Sequence, residues 1–229
     1  MPSYASTYFG IENNLKTSFP GREFTLIAVS KTKPYEVIRE AYLQGIRVFG
    51  ENYIPEAIEK FTKLREEFPE AKDTVFLHHI GPTQSGTLRK LFGVFQFTHG
   101  VGSFSTLKEL LKRANKEKIQ IAYFFQVNIT SEETKHGLSI SDLINQKGEM
   151  QTWENEYCRF EGFMGMGPSD GSEIQTKEAF AKLANLRDEH FPNKKLSMGM
   201  SGDFEWAMEF RSDYLRIGSL IFGDRSYAG

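Results

Sequence analysis

Lys31 stands where an apolar run, Thr25-Leu-Ile-Ala-Val-Ser-Lys-Thr-Lys-Pro34, gives way to a turn. An ammonium held at a strand's end beside apolar walls is partly desolvated and gives up its proton more readily. The free amine can then condense with an aldehyde to form a Schiff base. A lone lysine is ordinarily a solvated surface group, but two distant segments change that reading. They are Leu196-Ser-Met-Gly-Met-Ser-Gly-Asp203 and Leu215-Arg-Ile-Gly-Ser-Leu-Ile-Phe-Gly223. Each pairs a glycine with a serine, Ser201-Gly202 and Gly218-Ser219, ahead of a short helical stretch. Glycine lets the backbone approach an oxyanion, N–H groups at a helix start point at it, and serine adds a hydroxyl donor. An amine together with two phosphate-holding loops suits pyridoxal phosphate.

Arg216 lies between Leu215 and Ile217 in an apolar stretch, where an unpaired charge is costly. In a pyridoxal phosphate site it would donate to an unprotonated ring nitrogen, a weaker electron sink than a ring facing a carboxylate. A structural salt bridge to a neighbouring carboxylate is the alternative. Asn52, in Phe49-Gly-Glu-Asn-Tyr53, is expected close to the ring.

The elements that must position these groups follow from periodicity. Short β-rich runs fall at residues 24–29, 47–49, 74–78, 94–98, 121–127, 159–163, 195–198 and 214–217. Helical spacing occupies 35–44 (Val37, Ile38, Ala41, Tyr42), 54–68 (Ile54, Ile58, Phe61, Leu64), 105–116 with Ser105 as N-cap (Leu107, Leu110, Leu111), and 176–189 (Phe180, Leu183, Ala184, Arg187). Residues 1–20 read as an extra N-terminal helix, and 130–138 as a loop. This alternation implies an α/β fold with a parallel sheet, a single (β/α)8 TIM barrel over residues 1–229, with an open doubly wound sheet as the alternative.

Barrels collect functional side chains at the carboxyl ends of their strands, with phosphate near strands seven and eight. Those ends read Lys31, Glu51-Asn52, His78-His79, His99, Asn128, Met164, the 198–201 segment and the 216–218 segment. His78 and His79 are neighbours on a strand, point to opposite faces and make a poor metal pair. No HExxH, CxxC, Walker A or GxSxG pattern occurs, and Gly165-Met-Gly167 lacks the rest of a dinucleotide fingerprint.

A formal net charge of −2 with interspersed signs gives no footprint for nucleic acid. Cys158 is the single cysteine, which excludes an internal disulfide. No basic-then-apolar leader opens the chain, and no apolar run is long enough to span a bilayer. A soluble, monomeric cytoplasmic protein is expected.

Seven separated segments resemble the pyridoxal phosphate homeostasis protein family, in its order and spacing from about Phe24 to Tyr227. They are Ala28-Val-Ser-Lys-Thr-Lys-Pro34; Phe49-Gly-Glu-Asn-Tyr53; His78 with Ile80-Gly-Pro82; Gln126-Val-Asn-Ile129; Lys135 with Gly137; Leu196-Ser-Met-Gly-Met-Ser201; and Arg216-Ile-Gly218 with Ile221-Phe-Gly-Asp-Arg225. Departures fall at Thr83-Gln-Ser-Gly-Thr87, His99-Gly-Val-Gly102, Gly162-Phe-Met164 and Arg211-Ser-Asp213, leaving Lys31 and both serine loops untouched. The resemblance implies an alanine-racemase-like barrel (fold type III of the pyridoxal phosphate proteins) without the racemases' C-terminal β domain. It also implies a role in vitamin B6 homeostasis without clear enzymatic activity.

The expected site is therefore Lys31, Asn52, Ser201, Arg216, Gly218 and Ser219. The expected function is a carrier that holds pyridoxal phosphate and supplies it to apo-enzymes. A racemase-like enzyme is the alternative, and a phosphate-sugar barrel enzyme with Lys31 as its amine is a more distant one.

Overall fold

The computed structural model describes residues 3–130, 136–169 and 171–223. Lys135 and the Asp224-Arg225 pair, singled out above, lie outside the described residues, as do residues 1–2 and most of the 130–138 loop.

Helix α1 (Tyr4–Ser18) begins at Ser3, whose hydroxyl accepts the Ser6 N–H. It packs along the barrel wall, with the Tyr8 hydroxyl donating to the Leu26 carbonyl at 2.6 Å. Then follow β1 (Thr25–Val29), α2 (Tyr35–Leu43), β2 (Val48–Glu51), α3 (Ile54–Glu67), α4 (Ala71–Thr74), β3 (Phe76–His79), a 3₁₀ turn and β4 (Phe97–Val101). The second half runs α5 (Phe104–Glu117), β5 (Ile121–Gln126), α6 (Ile140–Asn145), a second 3₁₀ turn, β6 (Cys158–Met164), α7 (Glu173–His190), β7 (Lys195–Ser197), α8 (Phe204–Glu209), β8 (Tyr214–Ile217) and α9 (Ser219–Phe222). The strands close into one parallel barrel in sequence order, which excludes the open sheet.

Two strands are displaced from their expected positions. β3 starts at Phe76 because Thr74 closes α4. β4 starts three residues late because the Val94 and Phe95 N–H groups turn back onto the Leu91 carbonyl at 3.3 and 3.0 Å. His99 thus lies inside β4 rather than at its end. The α5 N-cap is Ser103, not Ser105; its hydroxyl accepts the Thr106 N–H. On α3 the buried stripe is Ile54, Ala57, Lys60, Phe61 and Leu64, so the helix is turned to bury a lysine where Ile58 was expected.

Alternation along each strand sorts side chains to two faces. Leu26, Ala28, Phe49, Leu77, Tyr123, Phe125, Phe160, Phe163, Leu215 and Ile217 pack outward into an annular core beneath the helices. The axis is filled differently. Tyr214 stands 5.2 to 6.0 Å, ring to ring, from Phe124, His78, His99 and Phe97, and His99 stacks on Phe124.

Burial sets the ionisation of this interior. It holds His78 down to about 3 and His99 well below the ordinary histidine value, with the charges of neighbouring groups adding to the effect at His99. The unfolded chain therefore binds protons that the folded chain excludes, so stability is full above about pH 6.5 and declines as the pH falls toward 3. At pH 5 His78 alone should cost roughly 2 kcal/mol, with His99 acting in the same direction. Calorimetric melting midpoints should drop steeply between pH 7 and pH 5, and His78→Gln should flatten that slope; an unaltered slope would place the acid sensitivity elsewhere.

Candidate functional site

Pairing of β8 with β1 sets Ile27 beside Arg216 and Ala28 beside Ile217. The first and last turns of the barrel's carboxyl mouth are thereby neighbours in space. Between them opens a cleft of about 350 Å³, lined by Lys31, Asn52, Ser201, Arg216, Gly218 and Ser219, together with Val29, Lys33, Ile80, Met166, Met200, Gly202 and Gly223. Every site residue expected from the sequence lies on this one cleft. A larger cleft of about 620 Å³ at the opposite mouth, around the starts of β3 to β6, holds none of them.

Lys31 follows Val29 on the inward-facing parity of β1 and is half-buried. The Ser30–Lys33 turn is closed by the Lys33 N–H donating to the Ser30 carbonyl at 3.1 Å. Lys33, the neighbouring amine on the same cleft wall, donates to the Gly223 carbonyl at 3.0 Å. Asn52 follows β2; its Oδ1 is buried and has no hydrogen-bond partner, an unusual state for a buried polar atom. The two serine loops are joined: the Gly218 N–H donates to Ser201 Oγ at 3.2 Å. Gly218 also lies so close to β1 that a Cβ would come within 3.3 Å of the Val29 carbonyl oxygen.

Arg216 is buried against neutral oxygens. It donates to Ser197 Oγ at 2.6 Å and to the Gly165 carbonyl at 3.1 Å. Burial lowers it to about 10, opposed by the charge of Asp203, so it remains a cation at neutral pH. Beyond it a polar chain crosses the barrel: Ser197 Oγ lies 2.9 Å from His99 Nδ1, and His99 Nε2 lies 2.9 Å from His78 Nδ1. Since arginine can only donate, the Ser197 hydroxyl proton is left to face His99, and His99 Nε2–H to face His78. The salt bridge considered for Arg216 is replaced by this neutral chain.

The remaining strand-end candidates do not join the cleft. The Glu51 carboxylate turns outward to Lys60 at 2.6 Å. His79 faces Thr98, His99 is buried mid-barrel, and Met198 packs in the outer core. Asn128 and Met164 are not on the cleft wall. Sequence reasoning passed over Ser197, and also Lys60, whose signal was a lysine one helical turn along a buried stripe. Among the described residues, no cluster of histidine, cysteine, aspartate and glutamate could hold a metal ion. No helix among them is long and apolar enough to cross a membrane.

The family model for the alanine racemase N-terminal domain matches residues 13–226. The pyridoxal phosphate homeostasis protein of Vibrio alginolyticus is 35% identical over 208 residues, 89% of this chain and 87% of the relative. That of Homo sapiens is also 35% identical, covering 91% of this chain and 79% of the relative. The chain belongs to the pyridoxal phosphate homeostasis protein family. Among solved structures of similar proteins, PipY of Synechococcus elongatus superposes with a TM-score of 0.83 at 29% identity, covering 96% of this chain and 99% of PipY. A second PipY structure, described with pyridoxal phosphate bound, gives 0.79 at 28% identity. Alanine racemase of Clostridium difficile shares the fold at 16% identity and a TM-score of 0.72, covering 98% of this chain and 57% of the racemase.

Within this family member, Ser197 joins the cleft arginine to the interior histidines. Ser197→Ala should leave Arg216 and His99 each short of a partner and cost about 1–3 kcal/mol in urea unfolding. A loss below a few tenths would mean that the chain contributes nothing to stability.

Proposed function

We propose that this chain binds pyridoxal phosphate in the cleft between β1, β7 and β8, linked covalently to Lys31, and serves vitamin B6 homeostasis by holding and releasing it. The observation that carries the proposal is the convergence of two lysines, one buried arginine, one unpartnered asparagine oxygen and two serine–glycine loops on a single cleft. The volume is within the range of small-molecule sites. The names of the relatives and the ligand described for PipY support the same ligand.

When bound, the group supplies an aldehyde carbon with which a primary amine condenses, releasing water. Lys31 is the amine placed for that reaction, because it follows Val29 on the inward-facing parity of β1 and lines the cleft. Ser201 and Ser219 hydroxyls with the Gly202 and Gly218 loops would hold the phosphate. Arg216 would donate to the ring nitrogen, and the Asn52 amide would face the ring.

The reading as a carrier rests on what the cleft lacks. Among the described residues on its wall, Lys31, Lys33 and Arg216 are the only ionisable groups; there is no carboxylate, histidine, tyrosine or cysteine. Racemisation moves a proton between two faces of a substrate and needs a base on each. Arg216, facing the ring nitrogen, would favour its unprotonated form, and that would weaken carbanion stabilisation. We place the protein in the cytoplasm as a monomer that passes its ligand to apo-enzymes.

The binding half is tested by spectrophotometric titration. Gly218→Leu should weaken pyridoxal phosphate at least about tenfold while changing pyridoxal little, since one well-placed charged contact is worth that much. Equal losses would remove the loops from phosphate binding. The carrier half is tested with loaded protein and a panel of L-amino acids in deuterated water. No α-proton exchange above that of free pyridoxal phosphate is expected; faster exchange that Lys31→Ala abolishes would make the protein an enzyme.

A further inference from the structure

The Lys31 turn is held from outside the barrel by a buried cation. Lys60, on α3, has a side chain 6% exposed. Its ammonium donates to the carbonyls of Ser30 at 3.1 Å and Lys33 at 3.2 Å, the residues bracketing the turn that carries Lys31. It is paired with Glu51 at 2.6 Å and Glu56 at 2.7 Å. The same carboxylates grip the turn directly. Glu51 Oε1 accepts the Ser30 hydroxyl at 2.7 Å, and Glu56 Oε1 accepts the Thr32 N–H at 2.8 Å.

The turn needs holding. Thr32, directly after Lys31, has φ +64°, a left-handed conformation that costs a β-branched residue energy and persists only where its surroundings over-determine it. Three side chains fixing both flanking carbonyls, one hydroxyl and the Thr32 N–H provide that. A fully desolvated ion pair is also an inefficient way to gain stability, since an apolar replacement of similar size often serves as well. Here Lys60 spends donors on two carbonyls of a single turn, and Glu51 Oε1 accepts that turn's Ser30 hydroxyl.

We propose that Lys60, with Glu51 and Glu56, is the positioning device for Lys31: it fixes the Ser30–Lys33 turn so that the Lys31 amine is presented to the aldehyde of the bound ligand. Lys60 does not line the cleft and touches no ligand itself. This inference rests on the proposed function, in which Lys31 is the bonding amine.

The test compares two ligands on the full-length protein: pyridoxal phosphate, and 4-deoxypyridoxine 5′-phosphate, which has the same ring and phosphate but a methyl group in place of the aldehyde. The variant is Lys60→Met combined with Glu51→Gln, which removes both buried charges together and strands neither. The native chain should prefer pyridoxal phosphate, and Lys31→Ala should erase the preference. The double variant should lose about tenfold or more of that preference, the value of a misdirected bonding group, while its affinity for the deoxy compound stays within about twofold. Melting curves establish that it is folded. Should it not fold, Glu56→Ala, at a half-buried position, removes the acceptor of the Thr32 N–H and of one Lys60 contact and should lower the preference in the same direction.

Unchanged preference in a folded variant, or equal weakening of both ligands, overturns the positioning role while leaving Lys31 as the bonding amine. A native chain with no preference between the ligands overturns the proposed function itself, and the positioning role with it.

Discussion

Closure of β8 onto β1 is the constraint on which the rest of the molecule depends. Lys31 and Gly218 stand near opposite ends of the chain, and only the parallel pairing of Ile27 with Arg216 and Ala28 with Ile217 makes their turns neighbours. Once that register is set, strand alternation does the rest. Val29, Lys31 and Arg216 fall on the inner face, and Leu26, Ala28, Leu215 and Ile217 pack outward. A slip of one residue would send Arg216 into the annular core and an isoleucine into the cleft. The joint is sealed by polar bonds as well, from Gly218 N–H to Ser201 Oγ and from Lys33 Nζ to the Gly223 carbonyl.

A barrel interior is usually filled by branched aliphatic residues in layers. This one places a tyrosine, two histidines, a serine and an arginine along the axis, and its stability depends on satisfying them in series. Arg216 stays charged because its donors reach Ser197 and Gly165, and the histidines stay neutral because burial outweighs every nearby group. The charge is thus kept at the mouth of the barrel, where a ligand can meet it, and excluded from the interior below. Outside the wall the arrangement is mirrored by Lys60 and Glu51, which bind the turn from the helical side.

The sequence was most legible where backbone constraint and chemistry coincide. Glycine–serine turns after apolar strands marked both loops, and the Lys31 turn followed an unbroken apolar run; the six residues expected from the sequence all lie on the cleft, whereas Ile80 and Met166 on its wall were not among them. It was least legible where interior polar residues erase the hydrophobic signal. Val94-Phe95 looks like the start of a strand, but these residues close a turn, and the true strand continues through Thr98-His-Gly-Val101, which reads as loop. Gly100 is required there because a Cβ would lie 2.0 Å from the Gly81 carbonyl oxygen, a contact between distant segments that no local pattern announces. Lys60 was missed for the opposite reason. A lysine on a helix is read as solvated, and its burial depends on partners contributed by β2 and the β1 turn. Helix faces such as Phe180, Leu183, Ala184 and Arg187 on α7 were read correctly because helical periodicity is local.

The central claim is that Lys31, and not the neighbouring Lys33, is the amine to which the barrel presents its ligand. Reduction of the pyridoxal-phosphate-loaded protein with borohydride, followed by peptide mass mapping, measures this directly. The account predicts a reduced phosphopyridoxyl group on Lys31, which continues the inward face of β1, and none on Lys33. Label on Lys33, or label spread evenly over surface lysines, would contradict it.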